Sequence, residues 1–415
     1  MFRLVNLRTK LPALRNHRIA VWKHTAALQD KAKPASDTED IWIKRRPLPK
    51  TTSIEYTIPE DPYLLAQKFT QVVANGKPDD AVAIVMQSKT KSQSTAVWNL
   101  VIREYAKSGR LSRALRAHTE MRKRGFVATN TTYTELLKAC ALSDSDKSVA
   151  MAESLYTQLT DKLEPTIINF NALLTVYLRK HELATLLDRF NGLPTSGPMA
   201  PELATFTIVF SAFRREVFRK LHELKHVGVE QGDSESQVFG KKRRAALIAT
   251  DMRSVYEAML DLWRAFVDDA ERRLRCMETK PLDVDAHMVK IVLKTCLAVY
   301  QKNRALGRKG LQVIETTYGM DETSDRPGKS KAPLAARLRS RQPNQSCVVD
   351  NEVIELAFAL CARDNQPVKA LRFWSSLERH FAADLEPLKQ QHKQALDEFR
   401  SRASKWVTKN NVSFT

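Results

Sequence analysis

A stripe of apolar residues recurs four times along this chain at a nearly constant interval. Each copy has apolar side chains at positions i, i+3, i+4 and i+7, the spacing that places four side chains on one face of a helix. The copies are Trp98, Val101, Ile102, Tyr105; Tyr133, Leu136, Leu137, Cys140; Phe170, Leu173, Leu174, Tyr177; and Phe206, Val209, Phe210, Phe213. The aromatic residues that open them lie 35, 37 and 36 residues apart. A helical stripe at a fixed period indicates a repeat architecture.

Each of the first three stripes is followed by a second helical stripe. In the first unit, Gly109 lies where a tight turn is needed and Gly125 marks the end of the second helix. Pro165 and Pro201 close the next two units, because proline cannot continue a helix. A pair of helices cannot bury its apolar faces alone, so the units are expected to stack. The sequence therefore predicts an all-α fold, an α-solenoid of helix–turn–helix repeats with basic insertions.

Composition divides the chain into six predicted segments. Residues 1–29 contain no acidic residue but six Lys and Arg among apolar residues, which is typical of a mitochondrial transit peptide; a basic nucleic-acid-binding arm is the alternative. The remaining segments are a Pro-rich linker at 30–61, the repeat array at 62–227, interrupted repeats with a basic insertion at 228–320, a disordered basic linker at 321–347, and a last repeat with a capping helix at 348–415.

The chain is strongly basic, with 67 Lys plus Arg against 47 Asp plus Glu and a formal net charge of +20. Such a charge attracts polyanions, although a basic composition is also common among proteins of the mitochondrial matrix. The insertions at 228–245 and 321–347 are expected to be mobile basic loops; they either contact phosphates or a ribosomal surface, or are solvated inserts. The five cysteines form no C-x-x-C pair, which favours a reducing compartment.

One motif suggests metal chemistry. His222, Glu223 and His226 form H-E-x-x-H, which on a helix places two imidazoles on one face as zinc ligands. Lys225 occupies a position that would be buried in a metalloprotease helix, and no downstream G-x-x-H supplies a third ligand. A solvated helix end is therefore the favoured interpretation. Without a phosphate-binding loop or a dinucleotide motif, the sequence predicts no enzyme, no metal and no cofactor; His118 and His181 are expected to pack or to lie on the surface.

Residues 95–129 resemble a pentatricopeptide repeat (PPR). That family's 35-residue pattern has an aromatic followed by Asn or Thr, a Leu-Ile pair, a Gly, an Ala-Leu pair, a Met and a Gly. These are here Trp98, Asn99, Val101 with Ile102, Gly109, Ala114 with Leu115, Met121 and Gly125. The segments YTELLKAC and FNALLTVYL open two further units similarly. The tetratricopeptide repeat is the alternative family, but its Trp–Leu-Gly–Tyr pattern is missing; a generic helical bundle is the third possibility.

The resemblance implies that single-stranded RNA is read one base per repeat. The reading positions would be the residue after the aromatic in the first helix and the last residue of the repeat. They correspond to Asn99 with Thr129, Thr134 with Thr166, and Asn171 with Glu202, while Thr207 opens a fourth pair. Asn99 and Asn171 could equally be ordinary polar residues at a helix start. The basic residues of this repeat, among them Arg103 and Arg110, are expected to contact phosphates.

By this resemblance the protein would bind mitochondrial RNA, either mRNA or rRNA, in the matrix. Its expected role is processing, splicing, stabilisation or translation of an organellar transcript. Two alternatives stay open: a constituent or assembly factor of the mitochondrial ribosome, and a protein-binding solenoid that helps to assemble a respiratory complex.

Overall fold

A computed structural model of the chain describes residues 57–227, 235–276, 282–320, 332–341 and 349–410. Within these ranges the regular secondary structure is helical, with no β-strand, so the all-α prediction is confirmed. The chain divides at residue 201 into two compact units, described here as the N-terminal unit (57–201) and the C-terminal unit (202–410). The predicted transit peptide at 1–29 and residues 30–56 of the predicted linker lie outside the described residues.

The N-terminal unit consists of four consecutive helical hairpins. Its helices are α1 (Pro62–Ala74), α2 (Pro78–Gln87), α3 (Thr95–Lys107), α4 (Leu111–Lys123), α5 (Asn130–Leu142), α6 (Ser148–Lys162), α7 (Ile167–Arg179) and α8 (Leu183–Asn191). The first helices of successive hairpins contact one another in series, α1 with α3, α3 with α5 and α5 with α7. The apolar stripes of α3, α5 and α7 are buried in these contacts. The predicted hairpins therefore form and stack.

The aromatic residue that opens each stripe is a core residue. Trp98 is fully buried, its indole N–H donates to Oε1 of Gln93 at 3.2 Å, and the guanidinium of Arg124 lies 5.4 Å from its ring centroid. Tyr133 and Phe170 occupy the equivalent places of the next two hairpins and are also buried. Burying a large side chain stabilises the fold by about 2–3 kcal/mol, so this position holds one repeat to the next.

The turn between the two helices of a hairpin uses a left-handed residue. Gly109 has φ +66°, a left-handed backbone conformation that favours glycine. A Cβ at this position would also lie 2.9 Å from the carbonyl oxygen of Leu142, so a side chain would clash there. The equivalent residue is Gly76 in the first hairpin but His181 (φ +60°) in the fourth, and Asn365 (φ +54°) takes the same place in a later hairpin. His181 is therefore a strained turn residue.

The C-terminal unit begins with two long antiparallel helices and continues with shorter ones. Its helices are α9 (Leu203–His226), α10 (Glu235–Arg275), α11 (Ala286–Tyr300), α12 (Arg304–Arg308), α13 (Leu311–Tyr318), α14 (Leu334–Arg341), α15 (Asn351–Arg363), α16 (Pro367–His380), α17 (Ala382–Leu385) and α18 (Lys389–Asn410). α9 packs on both α10 and α11, α11 packs on α15, and α18 packs on α16. In α18, Phe399 lies 5.1 Å from Phe358 of α15, ring centroid to ring centroid, so this charged helix covers the last hairpin.

Two segments differ from the sequence-based expectation of basic loops. Residues 235–245, expected within a basic loop at 228–245, form the first three turns of α10. Residues 334–341, expected within a disordered linker at 321–347, form α14, which packs on α13. Leu334, Ala335 and Leu338 are buried there because they lie on one face of a helix whose other positions are mostly basic. The high content of basic residues and proline led the sequence analysis to predict a linker and not this amphipathic helix.

The hairpin expected at 284–320 has a second helix broken into α12 and α13. A Cβ on Gly307 would lie 2.3 Å from the Cβ of Tyr300, and one on Gly310 would lie 2.6 Å from the Cβ of Cys296. The backbone of the second helix therefore touches α11 directly. The break, at Lys309 and Gly310, lies at this close approach.

None of the helices in the described ranges has the length and apolar composition that a membrane crossing requires.

Candidate nucleic-acid interface

The last residue of each repeat is the N-cap of the next repeat's first helix. Three of these helices begin alike, because the side chain three residues after the N-cap accepts a hydrogen bond from the N-cap backbone N–H. The donor–acceptor pairs are Thr129 with Thr132 at 3.0 Å, Thr166 with Asn169 at 3.0 Å, and Glu202 with Thr205 at 3.2 Å. The N-cap residues are exposed, whereas the three accepting residues are fully buried. The predicted pairing residues Thr129, Thr166 and Glu202 therefore start helices.

Within the N-terminal unit, the buried N3 side chain also holds the residue that follows the aromatic in the preceding repeat. The hydroxyl of Thr132 donates to Oδ1 of Asn99 at 2.7 Å. In the next repeat, Nδ2 of Asn169 donates to Oγ1 of Thr134 at 2.8 Å. Asn99 and Thr134 are each only 7% exposed. We call this contact the repeat interlock: an N3 side chain holds the predicted reading residue of the repeat before it.

The predicted reading residues differ in the hydrogen-bonding capacity that they leave open. Asn99 accepts through Oδ1 and has no described partner for the two donors on Nδ2. Thr134 already donates its hydroxyl to the carbonyl of Asn130 at 2.9 Å, and Thr207 donates to the carbonyl of Leu203 at 2.8 Å. Asn99 can therefore donate to a ligand, whereas the two threonines can only accept.

Asn171 is the third predicted reading residue of the N-terminal unit. Its Oδ1 is buried and has no hydrogen-bond partner among the described residues. An amide oxygen left in that state costs about 1–3 kcal/mol, which a ligand donor would recover. Glu202, the residue predicted to pair with Asn171, lies with Thr207 in the C-terminal unit, whereas Asn171 lies in the N-terminal unit.

The two predicted phosphate-contacting arginines are in different surroundings. Arg103 lies one turn after Asn99 on the same face of α3, 43% exposed, with Nε 3.3 Å from Oε1 of Glu135. Lys138 also reaches Glu135, at 3.0 Å, so one nearly buried carboxylate serves two cations. Arg110 follows the opposite end of α3 and pairs with Asp79 at 3.1 Å. Only Arg103 shares a face with a reading residue.

The second helix of the hairpin carries more of the positive charge of residues 95–129 than the first helix does. On α3, Arg103 pairs with Glu135 and Lys107 pairs with Glu104. Three cations of α4, Arg116, Arg122 and Lys123, have no carboxylate partner among the described residues. The first-helix surface is therefore less basic than the composition of the repeat suggests.

Sequence reasoning missed the buried N3 residues Thr132, Asn169 and Thr205, and the carboxylate of Glu135. A signal was available for the first three, since each lies three residues after a helix N-cap. The capping box is usually searched for as Ser or Thr at the N-cap followed three residues later by Glu or Gln. In these helices the later position is Thr or Asn.

The histidines of the chain have separate roles. His118 is 6% exposed and meets Tyr133 edge-on, with 6.0 Å between ring centroids, so it packs as expected. Burial, together with the cations of Arg122 and Lys162, lowers the pKa of His118 to about 4.

The H-E-x-x-H segment forms the end of α9. Nε2 of His222 and Nε2 of His226 lie 3.1 Å apart on an exposed surface. Glu223 pairs with Arg219. No group of three or more potential ligands occurs in the part of the chain that the structure describes. The two nitrogens of this segment are one ligand fewer than a catalytic zinc site takes from the protein and two fewer than a structural one.

Comparison with known proteins supports the predicted resemblance to a pentatricopeptide repeat. A model described as the PPR repeat family matches residues 93–141, which span α3, α4 and most of α5. A mitochondrial pentatricopeptide repeat-containing protein of Arabidopsis thaliana is 24% identical over 252 residues, which are 56% of this chain and 38% of that protein. The chain therefore spans less than half the length of this relative.

Solved structures give a weaker likeness. The pentatricopeptide repeat protein PPR10 in complex with an 18-nt psaJ RNA element is 16% identical, with a TM-score of 0.32, over 84% of this chain and 54% of that one. PPR10 from maize is 15% identical, with a TM-score of 0.27, over 85% and 54%. Residues 93–141 thus match the pentatricopeptide repeat family, and helical hairpins similar to the matched one continue on both sides of it.

Proposed function

We propose that this protein binds single-stranded RNA in mitochondria and acts in the metabolism of an organellar transcript, as a binder rather than an enzyme. The observation that carries the proposal is the equivalent placement of polar side chains on successive first helices. Asn99, Thr134 and Asn171 follow the aromatic residue of three stacked hairpins, and the first two are held in place by the interlock. A regular row of fixed polar groups suits a ligand with a regular row of bases.

The contacts expected at one repeat follow from the geometry. The free Nδ2 of Asn99 donates to an acceptor on a base edge, while Arg103 and Lys138 offer cations to the phosphates. Glu135 keeps those cations near the row and offsets part of their charge. Affinity is expected to come mainly from phosphate contacts, and base preference from the polar row.

The mitochondrial part of the proposal has two supports. The segment 1–29 has the composition of a transit peptide, and the Arabidopsis thaliana relative is named as mitochondrial. Imaging of the full chain fused to a fluorescent protein at its C-terminus tests it: mitochondrial fluorescence is expected, and a diffuse cytosolic signal would contradict it.

The decisive test of RNA reading is N99D. This substitution keeps the oxygen that accepts from Thr132 but replaces the Nδ2 donor with a second acceptor, so the contact with Thr132 is kept while the chemistry offered to the base is inverted. Selection of RNA from a random pool should show a changed base preference at one position and a loss of affinity of about 3- to 30-fold for the wild-type sequence. N75D, in the exposed turn after α1, adds the same charge and should leave the base preference unchanged.

The cellular target requires a second experiment. Crosslinking in intact mitochondria followed by sequencing of the attached RNA should recover a discrete transcript. If crosslinking recovers no RNA, the proposal fails and a protein-binding solenoid is favoured. If the tagged protein instead co-sediments stably with a ribosomal subunit, the RNA is rRNA and the ribosomal alternative holds; the basic start of α10 is the observation that favours that alternative.

A further inference from the structure

The first three turns of α10 extend beyond the helix that it packs against. Ring centroids of Phe206 and Phe266 lie 5.0 Å apart, and Nζ of Lys220 lies 3.4 Å from Oδ2 of Asp251, so α9 and α10 run antiparallel in a fixed register. In that register the last residue of α9, His226, is level with residue 245 or 246 of α10. About ten residues of α10, or roughly 15 Å of helix, therefore project past the end of α9.

This projecting segment, residues 235–247, buries none of its side chains. The first buried residue of α10 is Ile248. Phe239 is 70% exposed and Leu247 is 62% exposed, although both are large and apolar. Because no side chain of this segment is buried in the core, burial in the core does not explain its sequence, which can serve a contact with another molecule.

Four consecutive cations encircle the projecting segment. They are Lys241, Lys242, Arg243 and Arg244, and we call them the basic collar. Successive residues of an α-helix are rotated by about 100°, so these four side chains point in four directions around the axis. Glu235 is the only acidic residue between positions 235 and 247.

The all-round distribution of the collar restricts its partner. A flat protein surface or a membrane surface would meet one side of the helix and leave the cations of the other side unused. A protein groove deep enough to meet them all would have to supply carboxylates on several sides, because burying an unpaired cation is costly. A folded polyanion supplies such charges on opposing walls.

We propose that the projecting segment of α10 inserts into a widened groove of folded RNA, where the basic collar contacts phosphates of both strands. This inference rests on the proposed RNA-binding function. A regular RNA helix has a deep and narrow major groove that side chains cannot read, and an α-helix with its side chains is about 10–12 Å wide. The partner is therefore an RNA helix interrupted by a bulge or an internal loop. The exposed ring of Phe239, one turn before Arg243, stacks on an unpaired base there.

The test compares two variants that lose the same charge. The collar variant is K241Q/K242Q/R243Q/R244Q. The control variant is K393Q/R400Q/R402Q/K405Q, whose four cations are exposed on α18. Each full-length protein is titrated at several salt concentrations with two probes, an RNA hairpin that contains an internal loop and an unstructured oligouridine of equal length.

The collar variant should bind the hairpin about 30- to 100-fold more weakly than the wild type, and its log–log salt slope should fall by about 3–4, since each of the four lost phosphate contacts contributes roughly 0.7–0.9. Its affinity for oligouridine should change less than about 3-fold, because the reading residues are untouched. The control variant should change less than about 3-fold with either probe. A tryptophan reporter, F239W, should change its fluorescence with the hairpin and not with oligouridine.

Two results would overturn the inference while leaving the proposed function standing. One is a collar variant that binds the hairpin like the wild type, with an unchanged salt slope. The other is an equal loss with both probes, which would show general attraction of a polyanion. If the wild type binds neither probe nor any RNA from a random pool, the proposed function itself fails, and the inference fails with it.

Discussion

Replacing Thr132 with valine should weaken the N-terminal unit more than its small chemical change suggests. Valine has nearly the same shape and leaves no cavity, but it removes the hydroxyl that donates to Asn99 at 2.7 Å and accepts from the N–H of Thr129 at 3.0 Å. Each lost hydrogen bond costs about 0.5–1.5 kcal/mol, and Oδ1 of Asn99 is left nearly buried without a donor. The expected loss is about 2–3 kcal/mol.

Urea unfolding followed by circular dichroism measures this loss. With an m-value of about 2–3 kcal/mol/M, the midpoint of the affected transition should fall by about 1 M. T131V is the matched control, because Thr131 is the exposed neighbour on the same helix. It should shift the free energy of unfolding by no more than about 0.5 kcal/mol.

The same variant also tests the link to RNA. If Thr132 fixes the orientation of Asn99, T132V should weaken RNA binding by about 3- to 10-fold beyond any effect of unfolding. The interlock would be refuted by equal stabilities of T132V and T131V. Its functional role would be refuted by a destabilised T132V that, when fully folded at low temperature, binds RNA with wild-type affinity and base preference.

Three further predictions concern the histidines. H181G should raise the free energy of unfolding by about 0.5–1 kcal/mol, because His181 holds φ +60° and glycine adopts it without strain; thermal unfolding measures this. The pKa of His118 is lowered to about 4 in the folded chain, so as pH falls the unfolded chain takes up this proton first. The free energy of unfolding should therefore fall by up to about 3 kcal/mol between pH 6.5 and pH 4. H118Q should flatten that part of a curve of stability against pH, and the control H287Q, at an exposed site, should not. The purified protein should contain no stoichiometric zinc by elemental analysis, and H222Q/H226Q should leave its stability unchanged.

Each of these three histidine predictions can be contradicted by a specific result. A less stable H181G would mean that the imidazole makes a contact that outweighs the strain. A pH profile of H118Q that matches the wild type would mean that His118 titrates alike in the folded and unfolded chain. One zinc ion per chain, lost in H222Q/H226Q, would restore the metal interpretation of the end of α9.

The helices were predictable because their pattern is local. Trp98, Tyr133 and Phe170 each open a stripe whose spacing alone predicts a helix with one buried face. Gly109 could be placed at a turn, since few residues tolerate its backbone conformation. The repeat period then followed from counting residues between equivalent positions.

The interlock and α14 were less predictable because they depend on contacts between distant residues. Asn99 and Thr132 lie 33 residues apart, and nothing in either local sequence shows that their side chains meet. α14 is short and rich in arginine, so its three buried apolar residues are outweighed in any measure of composition. In the second helix near residue 309, the break depends on how closely Gly307 and Gly310 approach α11.

The interlock also limits how such a chain can be redesigned. A designer who exchanges Asn99 for a residue without a side-chain oxygen would remove the acceptor of Thr132 and so disturb the start of the next helix. The chain itself uses matched combinations, Asn99 with Thr132 and Thr134 with Asn169, in which the donor and acceptor roles are distributed differently. Recoding should therefore exchange the two residues of a combination together, and a library that varies only the reading residue would sample mostly variants with a weakened junction between repeats.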